Sequence, residues 1–177
     1  MKQVDKRILK TKTQIDTTLF TLCKRKVNFE TLSAPKLAKL AGISRQTFYR
    51  YYLSPKQVIV TMIDKHLSEF QKDFRLQGLT ARSMTAQLMK TWQQRAAVFE
   101  LVEWSNTRQE FIQRLSLFNQ NIAHQNKISL IDEAAICNVY AAATYMFLRA
   151  YVLDHTWSES EATDLFLHLT NNLDKIF

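Results

Sequence analysis

Glycine and proline are nearly missing from this chain of 177 residues: Gly42, Gly78, Pro35 and Pro55 are the whole complement. Tight hairpin turns usually need glycine or asparagine at positive φ, so a sheet protein of this length is hard to build without them. The shortage excludes most β architectures and predicts an all-α fold of long helices with few connections. Two isolated glycines also exclude a glycine-rich phosphate loop. Cysteine is equally sparse. Cys23 and Cys137 stand alone among apolar neighbours, which predicts reduced, buried thiols in a cytoplasmic protein and no disulfide framework. His66, His124, His155 and His168 are too scattered for a helical metal pair, and no metal or cofactor is expected. The first residues are polar and charged, unlike a signal peptide. The longest weakly polar run, Ala134 to Leu148, falls short of the ~20 residues of a membrane span and is expected to be a buried helix.

What the chain does have is positive charge, unevenly placed. The formal net charge is +8. Residues 1–75 hold 16 Lys/Arg against 6 Asp/Glu, and residues 76–177 hold 8 against 10. A basic half joined to a slightly acidic one suggests a polyanion-binding module on a body with another task. A solvated basic face would show the same charge.

The helical pattern is clear along most of the chain. Residues 1–12 form a basic lead-in, and a first helix follows with the apolar stripe Ile15, Leu19, Leu22 and Cys23. Ser33 is suited to cap a short second helix with Pro35 in its first turn. Gly42 sits where a helix ends in the left-handed conformation. Ser44 can cap a third helix from Arg45 to about Tyr52, and Ser54 a long fourth one with Pro55 at its first position. The fourth helix carries Ile59, Met62, Ile63, His66, Leu67, Phe70 and Phe74 and should end at Gly78. Further helices are expected around Met84 to Trp92, up to Trp104 after a break near Arg95, and from Asn106 to about Ile122. The last two are expected from about Ile131 to His155 and from Ser158 to about Ile176, the latter opened by a Ser158–Glu161 capping box.

Chemistry concentrates in residues 33–52, Ser-Ala-Pro-Lys-Leu-Ala-Lys-Leu-Ala-Gly-Ile-Ser-Arg-Gln-Thr-Phe-Tyr-Arg-Tyr-Tyr. Two short helices joined by a tight glycine turn have helix-turn-helix geometry. Ala38 is small where the helices cross, Ile43 plugs the turn, and Phe48 and Tyr52 can pack inward. The opposite face then carries Arg45, Gln46, Thr47, Tyr49, Arg50 and Tyr51, a donor-rich surface suited to the major groove. By hydrogen-bonding chemistry Arg45 can pair with guanine and Gln46 with adenine, each with roughly 1–3 kcal/mol of discrimination. Three packed helices with no nucleic-acid role would use the same apolar pattern.

This stretch resembles the TetR family. The family pattern, Thr-x-x-x-Ile-Ala-x-x-Ala-Gly-Val-Ser-x-x-Thr-Leu-Tyr-x-His-Phe, is met or approximated at Ser33, Leu37, Ala38, Ala41, Gly42, Ile43, Ser44, Thr47, Phe48, Tyr49, Tyr51 and Tyr52. Gly-Ile-Ser-Arg-Gln-Thr-Phe-Tyr is similar to a subgroup of small regulators related to dihydroxyacetone-kinase coactivators. The strong match covers residues 12–63. The resemblance implies a DNA-binding transcriptional regulator, usually a repressor, that binds a palindromic operator as a dimer. It implies phosphate contacts for Tyr49 and Tyr51, a phosphate or base contact for Thr47, and base contacts for Arg45 and Gln46. Ser33, Arg50 and Lys56 join these as DNA-binding candidates, while Ser44 is better suited to cap than to read. The chain departs from the pattern at Pro55, where many members carry a phosphate-binding lysine. Lys56 follows one residue later, and a proline start still leaves backbone N–H groups for a phosphate.

The expected division is a DNA-binding head, residues 1–53, and a helical body for effector binding and dimerisation, residues 54–177. In TetR-type proteins the matching body encloses a pocket, and Trp92, Trp104 and Phe111 are the candidates to line it around a small apolar effector. Ala134 to His155 is apolar on more than one face. Packing of the last two helices against a twofold mate would explain this, and so would a fully internal helix. No Ser/His/Asp arrangement supports an enzyme. Two rivals stand beside it: a coregulator that keeps the fold and acts by protein–protein contact, and a basic helical module for anionic membrane surfaces. The hydroxyl and amide groups of the third helix disfavour the membrane module.

Overall fold

The computed structural model describes residues 6–74, 80–125, 127, 129–154 and 157–170. Among them every regular element is helical. In chain order these are α1 (Lys6–Lys24), a 3₁₀ turn (Phe29–Thr31), α2 (Ala34–Leu40), α3 (Arg45–Tyr49), α4 (Pro55–Phe74), α5 (Ala81–Gln93), α6 (Ala96–Trp104), α7 (Arg108–Gln125), α8 (Glu133–Arg149) with a π-helical turn (Ala150–Asp154), and α9 (Glu159–Thr170). Gly78, His155 and Ile176, where helix ends are expected from the sequence, lie outside the described residues.

Two boundaries differ from expectation. The basic lead-in is helical from Lys6, since lysine, arginine and leucine all propagate a helix well once one face is buried. The third helix ends at Tyr49 rather than Tyr52. Its last turn tightens, with the Tyr51 and Tyr52 N–H groups both donating to the Phe48 carbonyl at 2.9 and 3.0 Å.

The chain forms two compact units. One runs through Met62 and takes in Glu100–Thr107; the other holds Ile63–Phe99 and Arg108 onward. In the first unit α1 buries Ile15, Leu19 and Leu22 with Leu37 and Ala38 of α2, Phe48 of α3, and Val58 and Ile59 of α4. Trp104 closes its edge: the indole N–H donates to the Val27 carbonyl at 2.6 Å, and the ring meets Phe29 edge-on. In the second unit Trp92, Phe99, Phe111 and Tyr145 form a continuous ring cluster with neighbouring centroids 5.0–5.7 Å apart. Such aromatic contacts add to the large area each ring buries.

The weakly polar run Ala134 to Leu148 sits within a longer helical stretch. Counted with the π turn, Glu133–Asp154 spans 22 residues with a mean hydropathy of 1.2, enough by length and composition to cross a membrane. It buries Cys137, Ala141, Tyr145, Leu148, Tyr151 and Val152 inside its own unit. That is how the core helix of a globular domain behaves.

Candidate nucleic-acid interface

The geometry of α2 and α3 follows from three local devices. Ser33 Oγ accepts the Lys36 N–H at 3.4 Å, which caps α2 with Pro35 in its first turn. Gly42 takes φ +69°, so the Ile43 N–H reaches the Ala38 carbonyl (3.0 Å) and the Gly42 N–H reaches that of Lys39 (3.2 Å). This paired closure ends α2 and turns the chain at once into α3. Ser44 Oγ then accepts the Thr47 N–H at 3.0 Å and bonds the Thr47 hydroxyl at 2.8 Å. The Ser44 and Thr47 hydroxyls are thus engaged with each other inside the α3 cap.

The side chains of α3 divide cleanly. Phe48 is fully buried, and Tyr52, which follows the helix, is nearly so. Burial, with the Asp16 charge second, pushes the Tyr52 phenol up to about 12, so it stays neutral. Arg45, Gln46, Tyr49 and Arg50 are exposed. Tyr49 rests edge-on against Phe48 (5.9 Å between centroids), which holds its hydroxyl outward. Tyr51 is half-buried, and the Lys12 ammonium lies 5.9 Å from its ring centroid. This cation–π contact brings a cation of α1 to the end of the turn that follows α3.

At the start of α4 Pro55 is buried and Lys56 is exposed. Ser54 Oγ accepts the Gln57 N–H at 3.2 Å, and Gln57 Oε1 reaches back to the Leu53 N–H. One first-turn amide is therefore satisfied within the chain. Two cations missed in the sequence reading belong to the same surface. Lys36 and Lys39, with Ser33 and Arg45, border a shallow concavity over Pro35 and Ile43. Their spacing of three on the polar side of α2 was the available signal.

The expected pocket residues lie elsewhere. Trp92 and Phe111 are fully buried within the ring cluster, and Trp104 belongs to the first unit. The second unit contains a cavity of about 330 Å³, lined by other residues: Phe70 of α4, Met84 and Leu88 of α5, Leu115 and Phe118 of α7, Cys137 and Tyr140 of α8, and Phe166 of α9, with smaller neighbours. That volume lies in the range of small-molecule sites. Among the described residues no cluster of His, Cys, Asp or Glu could hold a metal ion.

No family model matches the sequence, and no curated protein matches it. Solved structures do. The chain is similar to Lin0861 from Listeria innocua at 24% identity and a TM-score of 0.87, covering 97% of this chain and 94% of that one. It is similar to a Syntrophomonas wolfei protein described as a TetR-family transcriptional regulator (15% identity, TM-score 0.65, 92% and 94% covered). It is also similar to the dihydroxyacetone kinase operon activator DhaS (18% identity, TM-score 0.56, 94% and 97% covered). At these identities the likeness is one of fold.

Proposed function

We propose that this chain, whose all-α fold is that of the TetR-family regulators, is a transcriptional repressor that binds a palindromic DNA operator as a homodimer. The observation that carries the reading is the exposed face of α3: Arg45, Gln46, Tyr49 and Arg50 point outward from a helix anchored by Phe48 and capped by Ser44. A rigid, donor-rich helix beside the lysines of α2 suits a groove lined by phosphates. Arg45 and Gln46 read base edges. Tyr49, Tyr51, Arg50 and Lys56 hold phosphates, joined by Lys36 and Lys39. Thr47 and Ser33 act from cap positions. The functional head is residues 1–53 and the body residues 54–177. The protein acts in the cytoplasm and is no enzyme.

Dimerisation through α8 and α9 is supported by large apolar side chains that both helices leave exposed. Val139 and Met146, seven residues apart on α8, are 58% and 52% exposed, and Leu169 on α9 is 59% exposed. Apolar surface of this kind suits an isologous contact. Effector control uses the 330 Å³ cavity. A bound effector favours one arrangement of the two heads over another, and with it one operator affinity.

The test is binding to the DNA upstream of the protein's own coding region at near-physiological salt. Specific binding is expected, and Gln46→Ala combined with Tyr49→Phe should abolish it. Specific binding indifferent to both substitutions would sink the reading. Capture of a partner regulator without DNA would favour the coregulator, which Pro55 at the usual lysine position supports.

A further inference from the structure

The cavity of the second unit has an unusual chemical uniformity. Among the described residues no charged side chain lines it. Three of its polar side chains are turned to the chain itself: the Thr144 hydroxyl donates to the Tyr140 carbonyl (2.7 Å), the Thr170 hydroxyl to that of Phe166 (2.8 Å), and the Asn119 amide to that of Cys137 (3.5 Å). Burial pushes the Cys137 thiol up, so it remains neutral. A ligand inside meets almost only hydrocarbon and aromatic surface. A charge or an amide taken into such a space would lose its hydration without replacement.

Charge is available where α5 meets α9. Ala81 lines the cavity, and the next residue, Arg82, forms an ion pair with Asp164 of α9, two residues before the lining residue Phe166. Both partners are largely exposed, at 59% and 55%. An exposed pair of this kind contributes little to stability, so its exchange for another anion costs little. Arg82, next in the chain to a lining residue, thus holds an acid that a ligand's own acid can replace.

We propose that the cavity binds a single-chain anionic amphiphile, with the aliphatic chain inside and the head group on Arg82 in place of Asp164. The inference rests on the cavity's role as the effector site and names its ligand class. The apolar lining selects the chain, and bidentate pairing of guanidinium with carboxylate selects the head.

Decanoate and decanol, which share a chain and differ in charge, are the probes, and calorimetric titration of the full-length protein is the readout. Decanoate should bind about tenfold more tightly than decanol. Arg82→Gln should remove that preference and leave decanol binding unchanged. Ala123→Leu, which extends a lining side chain into the space, should weaken both. Leu88→Phe replaces it if a melting curve shows that variant unfolded. The proposal is overturned if neither probe binds, as when a second copy covers the cavity. It is overturned equally if both bind alike or if Arg82→Gln changes nothing. Operator binding by the ligand-free protein is measured separately, so failure here leaves the regulator reading standing, and failure there leaves this result intact.

Discussion

Gly42 and Lys26 occupy the same structural position at the ends of two helices, and only one is a glycine. Lys26 takes φ 52° after α1, and the Lys26 and Val27 N–H groups close onto the Cys23 and Leu22 carbonyls as Gly42 and Ile43 do after α2. A Cβ on Gly42 would meet nothing within 4 Å, so the cost of adding one is backbone strain alone. Gly42→Ala should destabilise by about 1 kcal/mol, and Lys26→Gly should stabilise by a similar amount. Urea midpoints that shift in opposite directions with unchanged slope would show this. Residue identity also separates two kinds of DNA contact. Arg45→Ala should relax preference at one base pair by roughly 1–3 kcal/mol, whereas Lys36→Ala should weaken all sequences alike and lower the salt slope by about one. Equilibrium binding to single-base operator variants across a salt series distinguishes them. The α3 surface was legible in the sequence because capping serines, a left-handed glycine and an inward Phe48 together fix which side chains remain outside. Lys36 and Lys39 were less legible, since lysine on a polar helix face is common and only the fold brings these two beside Arg45.

At the scale of elements, helices were easier to place than their ends. The stripe Ile15, Leu19, Leu22 marks α1, but no glycine or proline marks where it starts or stops, and its Lys26 terminus uses a residue that carries no turn signal. The cavity was hidden for a related reason. Trp92, Phe111, Phe118 and Leu115 all recur at helical spacing, and spacing reports that a residue faces inward without saying whether atoms or space lie beyond it. Trp92 and Phe111 are enclosed by other rings, while Leu115 and Phe118 border the cavity. The outer face of α8 was read from the sequence as a contact with a second copy or as interior. Its Val139 and Met146 are exposed in the single chain. Val139→Glu with Met146→Glu should therefore give a folded monomer by sedimentation equilibrium; a dimer that survives both charges would remove α8 from the interface.

Over the whole molecule, charge separates the basic first 75 residues from the rest, and that asymmetry was plain in the sequence. A pH response was not, because it depends on burial. His66 is held below its ordinary pKa of 6.5, chiefly by desolvation, with the Arg95 charge acting in the same direction and the bond to Glu69 (3.2 Å) opposing it. A folded-state pKa below the unfolded value means that the unfolded chain takes up the proton more readily. The resulting stability is present above about pH 6.5 and is lost as pH falls through the lower folded value. Urea stability should thus decline as pH falls below about 6.5, and His66→Gln should flatten that decline relative to the parent.

Operator recognition by paired α3 helices is tested most directly by hydroxyl-radical footprinting of the DNA upstream of the protein's own coding region. Two protected segments of matching sequence, related by a twofold axis with centres about 34 Å or a multiple of that apart, are the expected result. Protection that is absent, or that spreads evenly without regard to sequence, would contradict it.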